Sequence, residues 1–192
     1  MSAERGTVTA AKEELHLLEI RKEMDSVLPP EEVYSSLTEE RRKLVRPVLE
    51  SEDMFVQEWV SRTYTGLAFS EDSPELLTDR GERVRSKSEL IIANLLSKEG
   101  IPYKYECPLR LKGFGTVHPD FTALRRKARR EIYWEHLDMM DDPEYTARAV
   151  RKISAYILNG FYPGEDLIIT AETNASPINI RELREIIRHY LM

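Results

Sequence analysis

The chain has 192 residues, 41% hydrophobic and 32% charged, with 28 Lys/Arg against 34 Asp/Glu for a net charge of −6. That length supports one sizeable core with at most a smaller appended piece, and the composition excludes a fibrous or bilayer-spanning chain. A single cysteine, Cys107, excludes an internal disulfide framework; with no apolar stretch in the opening MSAERGTVTAAKEELHLLE, the expectation is a soluble cytoplasmic protein.

In chain order, TAAKEELHLLEIRKEMDSVL is rich in helix formers and stops at Pro29-Pro30. PPEEVYSSL and TEERRKLVRPVLE suggest further short helices, with Thr38 ahead of Glu39 and Glu40 as an N-cap. SEDMFVQEWVSRTYTGLAF spaces Phe55, Trp59 and Val60 for packing, and the polar, turn-prone SEDSPELLTDRGERV marks a boundary near residue 80. Beyond it, SKSELIIANLLSKEG is an amphipathic helix, IPYKYECPLRL a strand limited by Pro108, GFGT a turn, VHPDFTAL a strand, RRKARR a link and EIYWEHL a strand. DDPEYTARAVRKISAYILNG is then a helix opened by Pro143 and closed by Gly160, EDLIITAE a fourth strand and INIRELREIIRHYLM a last helix. The expectation is an α/β fold, a mixed central sheet flanked by helices over 81–192, behind an acidic helical extension over 1–80.

Charge follows the same division. Residues 1–80 carry 10 Lys/Arg against 18 Asp/Glu, and residues 81–192 carry 18 against 16. The link RRKARR supplies Arg125, Arg126, Lys127, Arg129 and Arg130. A basic face on an acidic protein presents a local potential that a nucleic acid would meet, although a solvated turn would look the same.

The strands also hold two acids where core residues are expected. Alternation puts Tyr133, Glu135 and Leu137 on one side of their strand and Trp134 and His136 on the other. Asp120 and Thr122 share a side of the preceding strand, and the short link permits antiparallel pairing. Where register permits, Asp120 and Glu135 meet on one face, and two ionised carboxylates there repel unless a cation lies between them. Such oxygen ligands suit Mg2+ or Mn2+. Cys107, His118 and His136 match no closed zinc spacing.

Glu89 in RSKSELIIANLL, HPDF on one strand, YWEH on the next and a lysine-bearing helix afterwards resemble the PD-(D/E)XK (restriction-endonuclease-like) nuclease superfamily over about residues 85–175. The resemblance implies an αβββαβ core and a metal-dependent nuclease, with DNA as the partner most members cut. A silent nuclease-like module that binds nucleic acid or protein is the other reading. By position, Asp120 and Glu135 would be the metal ligands, and Glu89 the helix carboxylate that helps orient the attacking water. The superfamily's lysine would fall at Leu137, a departure. Lys152, one helical turn from Tyr156, would supply the missing ammonium; His136 would do so if a bulge turned it.

Overall fold

A computed structural model of the chain describes residue 33 and residues 36–44, 51–70 and 73–192. The chain divides into two compact units, residues 1–51 and 52–192. In the first, α1 (Glu39–Arg42) starts after Thr38, whose side chain makes no capping hydrogen bond. The helix expected within TAAKEELHLLEIRKEMDSVL, with most of PPEEVYSSL, lies outside the described residues.

The second unit starts at Glu52, not near the expected boundary at residue 80. Its first helix, α2 (Glu52–Ser61), explains why. Trp59 is 2% exposed, and its indole N–H donates to Glu131 at 2.6 Å. Such burial is core packing from a segment that composition alone assigned to an extension. Downstream, Tyr64 donates to the Tyr105 carbonyl at 2.8 Å. Replacing Trp59 with phenylalanine should remove the donor and some packing, costing about 2 kcal/mol. Urea unfolding of the whole chain would read this; an unchanged midpoint would detach α2 from the folding unit.

The segment expected to be only a turn contains a short antiparallel ribbon of β1 (Leu76–Leu77) and β2 (Arg83–Val84), and Val84 is buried. Next, α3 (Lys87–Lys98) opens on a capping box in which the Ser86 side chain accepts from the Glu89 backbone N–H. Ile92, Ala93 and Leu96 line its buried face.

IPYKYECPLRL and VHPDFTAL, each expected as one strand, are each split. The first becomes β3 (Tyr103–Tyr105) and β4 (Leu109–Leu111), parted where Glu106 takes φ 48° ahead of Pro108. The second gives only Val117 to β5 (Gly115–Val117), whose Gly115 and Thr116 come from the expected turn GFGT, and the rest to β6 (Phe121–Arg125), parted at His118-Pro119-Asp120. Proline has no N–H for a ladder, so a strand containing it breaks or moves to an edge. β4 and β5 pair as a separate antiparallel hairpin.

β7 (Arg130–Leu137), α4 (Pro143–Leu158), β8 (Leu167–Ala171) and α5 (Ile180–Leu191) complete the unit. Asp142 caps α4 by accepting from the backbone N–H groups of Glu144 and Tyr145, with Pro143 in the first turn. The central sheet has the order β3-β6-β7-β8, antiparallel except for the parallel β7–β8 pair. One core joins Phe121, Trp134 and Ile168 to Ile92, Leu96, Leu183 and Ile187 of α3 and α5. Another joins Tyr133 and Leu167 to Ala155 and Tyr156 of α4 and to Leu111 and Val117 of the hairpin. The fold is mixed α/β, with a four-stranded mixed sheet flanked by helices.

Candidate active site

Register settles what alternation left open. β6 and β7 pair Phe121 with Trp134, so the next pair along is Asp120 and Glu135. Phe121 and Trp134 point into the α3/α5 core, which turns Asp120 and Glu135 to the α4 side. Glu135 is 3% exposed. Its Oε2 accepts from the Lys152 ammonium at 2.7 Å and its Oε1 from the Tyr156 hydroxyl at 2.6 Å. Lys152 also donates to the His118 carbonyl at 3.2 Å, tying α4 to the chain just before Asp120. Asp120 Oδ2 accepts from the His136 backbone N–H at 2.6 Å.

These groups shape one another's protonation. Burial pushes the Asp120 carboxyl well above its ordinary range, and the Glu135 charge pushes it further against the His136 N–H and Lys152. Burial likewise raises Glu135, while Lys152 and the Tyr156 hydroxyl hold it down. Burial and the adjacent Glu135 raise Tyr156, so its hydroxyl stays protonated and donates. With both acids ionised, one ammonium faces two carboxylates, and the surplus charge is negative.

The donor set fits a hard divalent cation. Asp120 Oδ1 has no hydrogen-bond partner among the described residues, and each Glu135 oxygen keeps a lone pair beyond the one it uses. No group of three or more His, Cys, Asp or Glu side chains placed to hold a metal occurs among the described residues. Two carboxylates with water and substrate oxygens completing the shell are the usual provision for Mg2+.

Other expected site residues lie elsewhere or are already engaged. Glu89 Oε2 accepts from the Arg85 and Ser86 backbone N–H groups and from the Tyr105 hydroxyl. That carboxylate anchors the start of α3; its tie to Asp120 is a minor contribution to the upward push on the latter. No bulge turns His136 toward Glu135. Its ring is buried on the opposite face, with Nδ1 2.8 Å from Thr170 Oγ1 and Nε2 3.4 Å from Glu172.

The basic link is largely engaged within the chain. Arg126 pairs with Glu52 and Asp53 of α2, Arg129 lies over the Phe55 ring, Arg130 pairs with Asp166, and Arg125 donates to the Tyr190 carbonyl. Lys127 has no ion-pair partner among the described residues. The α2 acids come from a segment assigned to another domain, so the sequence held no signal that they would neutralise this turn.

Two features escaped the sequence reading. The His118 carbonyl as a Lys152 acceptor is a backbone group that no motif marks. Glu172, 84 residues from its partner Ser88, joins Ser88 to His136 behind the sheet, and only folding brings these together.

No protein-family model matches the chain. Among curated proteins it is similar to an uncharacterised protein of Methanocaldococcus jannaschii, MJ1519, with 29% identity over 158 residues. That alignment covers 76% of this chain and 13% of MJ1519. Among solved structures it is similar to a chain in the cryoEM structure of a DrdV–DNA complex, at 16% identity and a TM-score of 0.34. There the match covers 72% of this chain and 13% of the other, so the chain spans about an eighth of each protein it resembles. No helix among the described residues is long and apolar enough to cross a membrane.

Proposed function

We propose that this chain carries a metal-dependent nuclease site of the PD-(D/E)XK type, hydrolysing phosphodiester bonds in DNA. The observation that carries the reading is the Lys152–Glu135 contact at 2.7 Å beside Asp120, the residue leading into the neighbouring strand β6. It supplies an ammonium from α4 where the strand itself offers only Leu137. Asp120 and Glu135 would hold Mg2+ or Mn2+, which would neutralise charge at the scissile phosphate and acidify water there.

The chain's own groups then have separate tasks. Lys152, held between Glu135 and the His118 carbonyl, presents a fixed positive charge to the phosphate or to the entering oxygen. Tyr156 keeps Glu135 oriented through its hydroxyl. The His136 N–H holds one Asp120 oxygen and leaves the other available. Glu89 enters as a distant carboxylate that adds to the local negative potential. The basic link serves as a phosphate contact only where DNA competes with exposed internal ion pairs, each worth about 0–1 kcal/mol.

One observation favours a silent binding module instead: both Glu135 oxygens already have donors. Incubation of plasmid and single-stranded DNA with Mn2+, beside an Asp120→Asn preparation, separates the two. Cleavage by the parent and none by the variant is the expected result. Binding without cleavage in either would establish the module.

A further inference from the structure

We propose that the β4–β5 hairpin is a contact for single-stranded DNA, with Phe114 at its tip stacking on a base and Arg110 and Lys112 holding flanking phosphates. The proposal rests on the nuclease reading for the identity of the polyanion and adds which form of it the site receives.

The hairpin has a fixed base and a bare tip. Leu111 and Val117 are buried against Tyr133 and Tyr156. Asn159, which caps the end of α4, accepts from the Lys112 backbone N–H at 2.6 Å and donates to the Lys112 carbonyl at 3.3 Å. The hairpin is thereby fastened to the helix that carries Lys152 and Tyr156. At the other end, Gly113 and Gly115 take φ 79° and 115°, and no atom lies within 4 Å of where a Cβ would stand on either. Phe114 is 50% exposed at the apex of the turn. A rigidly mounted aromatic ring with an open face is what base stacking requires.

The charge pattern agrees. Register places Arg110 opposite Thr116 on the exposed side, alternating with buried Leu111. Neither Arg110 nor Lys112 has an ion-pair partner among the described residues, in contrast to Arg126 and Arg130. Arg110, Lys112, Phe114 and Asn159 line a cleft of about 460 Å3.

The hairpin also leads into the site. The chain leaving β5 passes through His118, whose carbonyl accepts from Lys152, to Asp120. Six residues from Phe114 to Asp120 reach at most roughly 20 Å. A strand stacked on Phe114 therefore meets the carboxylates within about six nucleotides, at roughly 3.4 Å each. Along a duplex the base faces are covered by stacking, so it offers phosphates to the two cations and a base face only at its ends, which is why the single strand is the occupant.

The test measures binding separately from cleavage. Asp120→Asn protein in EDTA is titrated against fluorescein-labelled oligothymidylate and against a blunt duplex, followed by anisotropy. Phe114→Ala in that background should weaken oligothymidylate binding about tenfold, equivalent to 1.4 kcal/mol. Phe114→Trp should restore it, and duplex binding should not change. Arg110→Gln with Lys112→Gln should lessen the salt slope by about 0.7 per residue. An unaltered oligothymidylate affinity in Phe114→Ala, or an equal loss on duplex, overturns the proposal. The hairpin contact stands if these losses appear while the parent protein cleaves nothing; that combination removes the nuclease reading alone.

Discussion

Replacing Lys152 with methionine should cut DNA cleavage by about a hundredfold or more, because it removes a preorganised charge from the reacting phosphate. Methionine keeps the stem's length along the apolar face of α4, so packing is nearly retained and the ammonium is what is lost. Stability should fall as well. Removing one partner of a fully buried pair costs about 3–5 kcal/mol. Lys152 keeps 29% side-chain exposure and Glu135 can take up a proton, so about 1–3 kcal/mol is expected here. His136→Ala is the comparison. Its ring lies behind the sheet beside Thr170 and Glu172, so its loss should affect melting more than rate. Single-turnover rates under saturating Mn2+, read with melting temperatures, separate the two effects. An inactive histidine variant beside an active lysine variant would reverse the assignment.

The second large effect couples pH, metal and stability. The folded protein raises Asp120 and Glu135 above their ordinary values of 3.8 and 4.5, with burial the main cause in both. The native state therefore keeps protons that the unfolded chain has released. The stability these protons contribute is fully present below the ordinary carboxylate values and is lost as pH rises through the raised ones. In EDTA stability should thus decline as pH rises above the ordinary carboxylate range, by at most about 1.4 kcal/mol per pH unit for each proton involved, read as a falling melting temperature. Asp120→Asn, with no like charge beside Glu135, should flatten the decline. A bound cation reverses the balance, since it needs both carboxylates ionised. Mn2+ at a hundred times its dissociation constant should add about 2.7 kcal/mol, chiefly at the alkaline end. The same addition to Asp120→Asn should do nothing, and equal shifts in the two proteins would take the metal away from this pair.

Local chemistry alone was enough for much of this. Helix formers, the Pro143 opening and the Gly160 stop mark α4 within a residue or two, because caps and turn residues act over a few positions. The two-residue period of EIYWEHL separates Glu135 from His136, and the four-residue spacing of Lys152 and Tyr156 puts both on one side of α4. These relations are short-range, and the structure keeps them. Contacts between distant segments were not legible. Trp59 reaches Glu131 across 72 residues, and Arg126 reaches Asp53 across 73, so an acidic segment read as a separate extension became part of the core and covered the basic turn. The proline breaks, and the hairpin that joins part of an expected strand to residues of the expected GFGT turn, depend on where the sheet has room for a ladder, which periodicity does not record. Whether Lys152 would face Glu135 depended on how α4 lies across β7, a matter of packing Ala155 and Tyr156 against Tyr133 and Leu167. Which residue types could form a charged site is written in the order of the amino acids; which of them meet depends on packing, because only burial against a common face brings such distant side chains within hydrogen-bonding range.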